Sequence, residues 1–173
     1  MQYLTPNEKE QLLRAVYSEK GKHRKRNIAI FEVGLYCALR VSEIKGLKVN
    51  CYDSNRKTIF CYRLKGSRAN TIKIVDLHVV KALEDYLEER AERGIESSYL
   101  FISQKGNPIS RQRMDAMIKK YAASTDIPVE KRHMHVLKHT RAIDLSELDL
   151  DLDDVQSVSY THLRAHETVL DLV

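Results

Sequence analysis

Apolar side chains recur at helical spacing from the start of the chain, where Leu12, Leu13, Val16 and Tyr17 form one stripe behind Thr5-Pro6-Asn7-Glu8. That opening combines a hydroxyl N-cap, a proline in the first turn and an acid three residues beyond the cap, so it predicts a helix start. After a basic linker, Ile28, Phe31, Val33, Leu35, Tyr36 and Leu39 are apolar on nearly every side, the pattern of a helix buried at the centre of a domain. This second helix is expected to deliver Arg40 at its end.

The period then shortens. Leu47-Lys48-Val49 and Thr58-Ile59-Phe60-Cys61-Tyr62 read as strands joined through the turn former Asp53-Ser54-Asn55-Arg56, with Thr71-Ile72-Lys73-Ile74-Val75 as a third. A tight loop around Lys65-Gly66-Ser67 belongs to this small antiparallel sheet. Helical patterning returns from about Asp76 to Arg93 and from Ser110 to Ala123, either side of the apolar segment Tyr99-Leu100-Phe101-Ile102 and the turn Lys105-Gly106-Asn107-Pro108. A further helix should contain His135. The fold class is α+β, mainly helical, with a small three-stranded antiparallel sheet and neither internal repeat nor low-complexity linker.

At 173 residues the chain has one domain's worth of length, enough to bury a core without disulfides or metal. The formal charge is +5, and it is unevenly placed: Lys20, Lys22, Arg24, Lys25 and Arg26 crowd together, while Asp144, Glu147, Asp149, Asp151, Asp153 and Asp154 form an acidic block. Such asymmetry suggests one face that attracts a polyanion, although a lysine run by itself is usually a solvated face. Cys37, Cys51 and Cys61 have neither metal-like nor redox-like spacing and read as reduced thiols of a cytoplasmic protein. No apolar run is long enough to cross a membrane, and Met1-Gln2-Tyr3-Leu4-Thr5 is not a signal peptide.

Candidate chemistry lies in Ala38-Leu39-Arg40-Val41-Ser42-Glu43-Ile44 and in His135-Val136-Leu137-Lys138-His139-Thr140, about a domain's length apart. An arginine holds two phosphate oxygens at once with its planar fork, and residues one helical turn apart, as His135 and Lys138 are, share a face. Taken alone, an arginine at a helix junction is more often a surface ion pair, and isolated histidines are more often solvated. In register, the two clusters resemble the paired motifs of the tyrosine recombinases, the phage-integrase family. The resemblance spans roughly Leu4 to Gln156 and implies a catalytic domain that breaks and rejoins double-stranded DNA through a 3′-phosphotyrosyl intermediate. It implies no metal or other cofactor, and a homo-oligomer in a synaptic complex when the protein is full length.

Carried over residue by residue, the resemblance assigns Arg40 to the scissile phosphate, Glu43 and His139 to support of the site, and His135 and Lys138 to the second cluster. Lys138 stands where the family usually has arginine, and an ammonium cannot reproduce bidentate phosphate binding. Lys65 resembles the hairpin lysine that protonates the leaving 5′ oxygen, a task suited to a flexible ammonium whose pKa nearby cations depress. Lys22, Arg24, Lys25, Arg63, Arg68 and Lys73 are candidates for backbone contacts, which position DNA without reading it.

After Gln156 the family pattern would continue toward its tyrosine, whereas this chain reads Ser157-Val158-Ser159-Tyr160-Thr161-His162-Leu163-Arg164-Ala165-His166. The string looks like the conceptual translation of a sequencing-library adapter joined to an interrupted gene. The expected organisation is therefore an incomplete catalytic domain over 1–156 and a foreign tail over 157–173, with Tyr160 an exposed tail residue and the nucleophile absent. Two other readings stand beside this one: a type IB topoisomerase-like enzyme, and a DNA-binding module without catalysis.

Overall fold

Helix α2 (Arg24–Tyr36) is buried from Arg26 through Leu35, as its all-round apolar pattern predicts. The computed structural model describes residues 2–62 and 70–148. Before α2 comes α1 (Pro6–Tyr17); after it come α3 (Val41–Gly46), β1 (Tyr52–Asp53), β2 (Thr58–Cys61), β3 (Asn70–Lys73), α4 (Leu77–Glu92), α5 (Arg111–Ala122) and α6 (His135–Glu147). Helices α1, α4 and α6 all pack against α2. The polar groups inside α2 are each met by a partner: Asn27 Nδ2 donates to the Tyr121 hydroxyl at 2.9 Å, and Glu32 receives the Tyr17 hydroxyl and faces His78 Nδ1, both at 2.6 Å. Burial, reinforced by Glu32, pushes the Tyr17 phenol well above its ordinary pKa.

Helix α6 lies close against α2 at Gly34, where a Cβ would stand 2.8 Å from Leu137 Cδ1. Helix α1 starts as the sequence predicts: Glu8 N donates to Thr5 Oγ1 at 3.2 Å, and Thr5 N donates back to Glu8 Oε2 at 2.8 Å. One residue earlier, Leu4 N donates to Thr140 Oγ1 at 2.9 Å, tying the beginning of the described chain to α6. The second helix does not run on to Arg40. It ends at Tyr36, Ala38 takes a left-handed conformation at φ 53°, and the chain turns so that Arg40 becomes the N-cap of α3.

The three strands form an antiparallel sheet in the order β1-β2-β3, with Ile59 paired to both Tyr52 and Ile72. Ile59, Cys61 and Ile72 face the core. The first strand differs from the expected one: it is Tyr52–Asp53, while Val49–Cys51 forms a 3-10 turn. Leu47-Lys48-Val49 does pair, but with the apolar segment after α4, since Leu100 N donates to Leu47 O and Val49 N to Ser98 O, both at 2.8 Å. Arg90 holds that segment from behind, donating to Ser97 O at 2.6 Å, Tyr99 O at 3.0 Å and Leu100 O at 2.9 Å. The predicted Asp53 turn is present, with Oδ1 accepting from Asn55 N and Arg56 N at 3.0 Å.

Cys37, Cys51 and Cys61 are buried thiols outside any disulfide. Burial pushes Cys37 up to about 12, so it packs as a small hydrophobe. Among the described residues no helix is long and apolar enough to cross a membrane.

Candidate active site

Arg40 projects from an exposed position at the head of α3. Its backbone is held on both sides: its N–H donates to Glu43 Oε2 at 2.7 Å, and its carbonyl accepts from Glu43 N at 3.0 Å and Ile44 N at 2.9 Å. Glu43 thus fixes the backbone from which the arginine leaves the fold.

Helix α6 brings the second cluster. His135 is its first residue, and the ring of His139 lies parallel to that of His135, 6.0 Å away with the planes 5° apart. Lys138 does not join them on the surface: it is 5% exposed, on the same inward side as Leu137 and Arg141. The reason is the tight seating of α6 on α2, which turns that side of α6 into the core. Its charge nevertheless reaches both histidines. Burial lowers the pKa of His135, and the charges of Arg111, Lys138, His133 and Arg40 lower it further. Burial also holds His139 down to about 4, with help from His135, Lys138 and His133 and against the Gln2 backbone. Among the described residues His139 Nδ1 is buried without a hydrogen-bond partner.

Two contributors were not found in the sequence. Arg111 begins α5, which packs against α3, and Asp115 on the next turn accepts Met134 N at 3.2 Å, just before α6 starts. Those contacts set the heads of α3, α5 and α6 beside one another, and Arg111 is the first of the charges acting on His135. His133, the other, is within hydrogen-bond distance of Gln2 through Nε2 at 3.1 Å. Ser110 before Arg111 is legible as an N-cap, but nothing local says that this helix start faces His135. The result is an imidazole with a lowered pKa at the positive end of a thirteen-residue helix, acted on by the charges of Arg111, Lys138 and Arg40, an environment that favours a bound anion.

The remaining predicted residues divide. Lys22 precedes α2, and Arg24 and Lys25 open it. Thirteen residues at about 1.5 Å each put the two ends of that helix roughly 20 Å apart, so these cations are not brought together with Arg40. Arg24 also donates to Tyr17 O at 3.1 Å. Lys73 ends β3 and donates to Arg56 O at 2.8 Å. Arg63, Lys65, Arg68 and Tyr160 lie outside the described residues, as does everything from 149 onward.

Comparison with known proteins gives a consistent picture. The family model described as the phage integrase family matches residues 2–167, running past Gln156. The chain is 31% identical over 155 residues to the Type 1 fimbriae regulatory protein FimB of Escherichia coli, covering 89% of this chain and 76% of that protein. It is 29% identical to a tyrosine recombinase of Agathobacter rectalis, over 92% of this chain and 56% of that one. Among solved structures it is similar to XerA recombinase, with a TM-score of 0.80 and 27% identity over 98% of this chain and 58% of that one. The fold also matches that of the XerH site-specific recombinase bound to palindromic difH substrate, with a TM-score of 0.81 and 22% identity over 99% of this chain and 48% of that one. The chain thus spans three quarters of FimB but about half of the longer relatives.

Proposed function

This chain belongs to the phage integrase family, the tyrosine recombinases that break and rejoin DNA at specific sites, and from that premise we propose that the cations around His135 hold the scissile phosphate of duplex DNA. What supports this reading is the packing of α5 on α3 and the Asp115 bond to Met134 N, which bring Arg40, Arg111 and His135 to the neighbouring heads of α3, α5 and α6. Arg40 grips two phosphate oxygens with its fork, and Lys138 adds charge from beneath. His135, kept neutral near pH 7, accepts the proton of the attacking phenol. As the phenol oxygen bonds to phosphorus, the bond to the 5′ oxygen breaks, and Lys65 gives that oxygen its proton. Rejoining runs the same transfers backward, and no metal is needed.

The nucleophile belongs to a segment that follows Gln156 in the uninterrupted gene, while 157–173 is foreign sequence; the support for this is the residue string itself. The chain as written therefore binds DNA without cleaving it, because much of the rate of such a step comes from positioning the attacking group. When full length the protein works as a homo-oligomer on two DNA sites in the cytoplasm, and Arg63, Arg68 and Lys73 contact backbone phosphates. Lys22, Arg24 and Lys25 add longer-range attraction, so that affinity falls steeply with salt.

The test is a nicked suicide substrate resolved by denaturing electrophoresis. This chain should give no covalent adduct, and the chain continued in its genomic reading frame beyond Gln156 should give one that Arg40→Ala abolishes. An adduct with the present chain that disappears on Tyr160→Phe would make Tyr160 the nucleophile and overturn the foreign-tail reading. An adduct from the continued chain that survives Arg40→Ala would overturn the assignment of the phosphate site.

A further inference from the structure

At the end of α2 remote from Arg40, Lys22, His23, Arg26, Arg93 and Lys105 line a cavity of about 410 Å³. A smaller opening of about 230 Å³ shares Lys22, His23 and Arg26 and adds Arg113. The feature that separates this cluster from solvated surface charge is Arg26, which is only 3% exposed. Its Nε donates to Asn27 Oδ1 at 3.0 Å and its Nη1 to Ile102 O at 2.9 Å, so both acceptors are neutral. Among the described residues no carboxylate stands within ion-pair distance of Arg26, Lys22, Arg93 or Lys105. Glu89 and Glu96 also line the cavity, two carboxylates against four cations.

A buried guanidinium without a counter-ion is costly, and burial accordingly lowers the pKa of Arg26. His23 heads α2 without making a side-chain capping bond. Burial, with Arg26, Lys22, Arg93 and Arg113 around it, holds its imidazole down to about 4. At neutral pH it therefore offers one donor and one acceptor and adds no charge.

We infer that this cavity is a second anion site that takes a phosphate group, gripped by Arg26 and Arg93, screened at its mouth by Lys22 and Lys105, and hydrogen-bonded by His23. Two guanidinium forks suit the tetrahedral, multiply charged oxygens of a phosphate better than a planar carboxylate. The cavity is large enough for more than the phosphate alone. The phosphate can come from a nucleic-acid backbone or from a free nucleotide or inorganic phosphate, and the chemistry of recognition is the same. The site does not depend on the cleavage reading, because it is built from the opposite end of α2.

The experiment follows the imidazole resonances of the chain by NMR while inorganic phosphate replaces chloride at constant ionic strength. The His23 resonances should shift saturably, and the His23 titration midpoint should rise from about 4 as the bound anion favours the protonated ring. The double variant Arg93→Gln, Lys105→Gln should weaken phosphate binding about tenfold or more, while Arg40→Gln should leave it unchanged. A His23 signal that never shifts saturably, an undiminished affinity in the double variant, or binding lost in Arg40→Gln would each overturn the inference. A short duplex then separates the sources. Displacement of phosphate from His23 by the duplex, weakened by the same double variant, assigns the site to a nucleic-acid backbone; phosphate that stays bound in the presence of duplex assigns it to a small phosphate ligand.

Discussion

Replacing Thr140 by valine removes one oxygen and keeps the shape of the side chain. That oxygen accepts the Leu4 amide at 2.9 Å and donates to Val136 O at 2.7 Å, and Thr140 itself is 1% exposed. In the variant Val136 O still has its helical partner, but the Leu4 amide loses its acceptor in a place that solvent scarcely reaches, since Leu4 is 3% exposed. An unsatisfied buried donor costs about 1–3 kcal/mol, so we expect a loss of about 2 kcal/mol and a melting temperature lower by roughly 4–8 °C for a domain of this size. Thr140→Ser keeps both hydrogen bonds and gives up one buried methyl, a loss of about 1 kcal/mol. Urea unfolding of the three proteins measures this, and hydrogen exchange at the Leu4 amide localises it: exchange should accelerate in the valine variant and not in the serine variant. Valine as stable as threonine, or serine as damaging as valine, would refute the reasoning.

Arg90→Met should cost about 3 kcal/mol in urea unfolding, because three backbone carbonyls lose the donor they share in a side chain only 4% exposed. Arg90→Lys should recover little of it, since one ammonium cannot span all three. Glu43→Ala should cost about 1 kcal/mol through loss of the cap on Arg40 N, with Glu43→Gln recovering part of it and the Arg40 amide resonance reporting the change. Stability should decline as pH falls from about 6.5 toward about 4. Burial holds both His23 and His139 down to about 4 in the folded protein, below the ordinary 6.5, so in that window the unfolded chain binds more protons. Urea unfolding against pH checks this, and His139→Gln should flatten the decline.

The parts of the fold governed by near neighbours were readable. The Thr5 cap, the all-round apolar α2 and the Asp53 turn each follow from residues within a turn of one another, and each is present. The failures are non-local. Leu47-Lys48-Val49 has the composition of a strand, but its partner lies beyond α4, where Arg90 holds it. Lys138 reads as a site cation by motif, yet how far it lies from solvent depends on Gly34, more than a hundred positions away, letting α6 settle onto α2. Arg111 carries no signal at all in its own neighbourhood, because only the packing of α5 on α3 aims it at His135. The basic cluster was visible as charge, while its division between a helix cap, a buried guanidinium and a cavity wall was not.

The bond between Leu4 and Thr140 spans 136 positions, and this has a bearing on synthesis. A chain growing on the ribosome makes α2 early, but the side of α2 that Leu137 covers stays open until α6 emerges. During that interval the nascent protein exposes an apolar surface at its centre, the circumstance in which chaperones bind and aggregation begins. Arg40 is translated long before His135 and His139. A chain that stops ahead of α6 therefore carries Arg40 without His135 or Lys138 beside it, and with the inner side of α2 still uncovered.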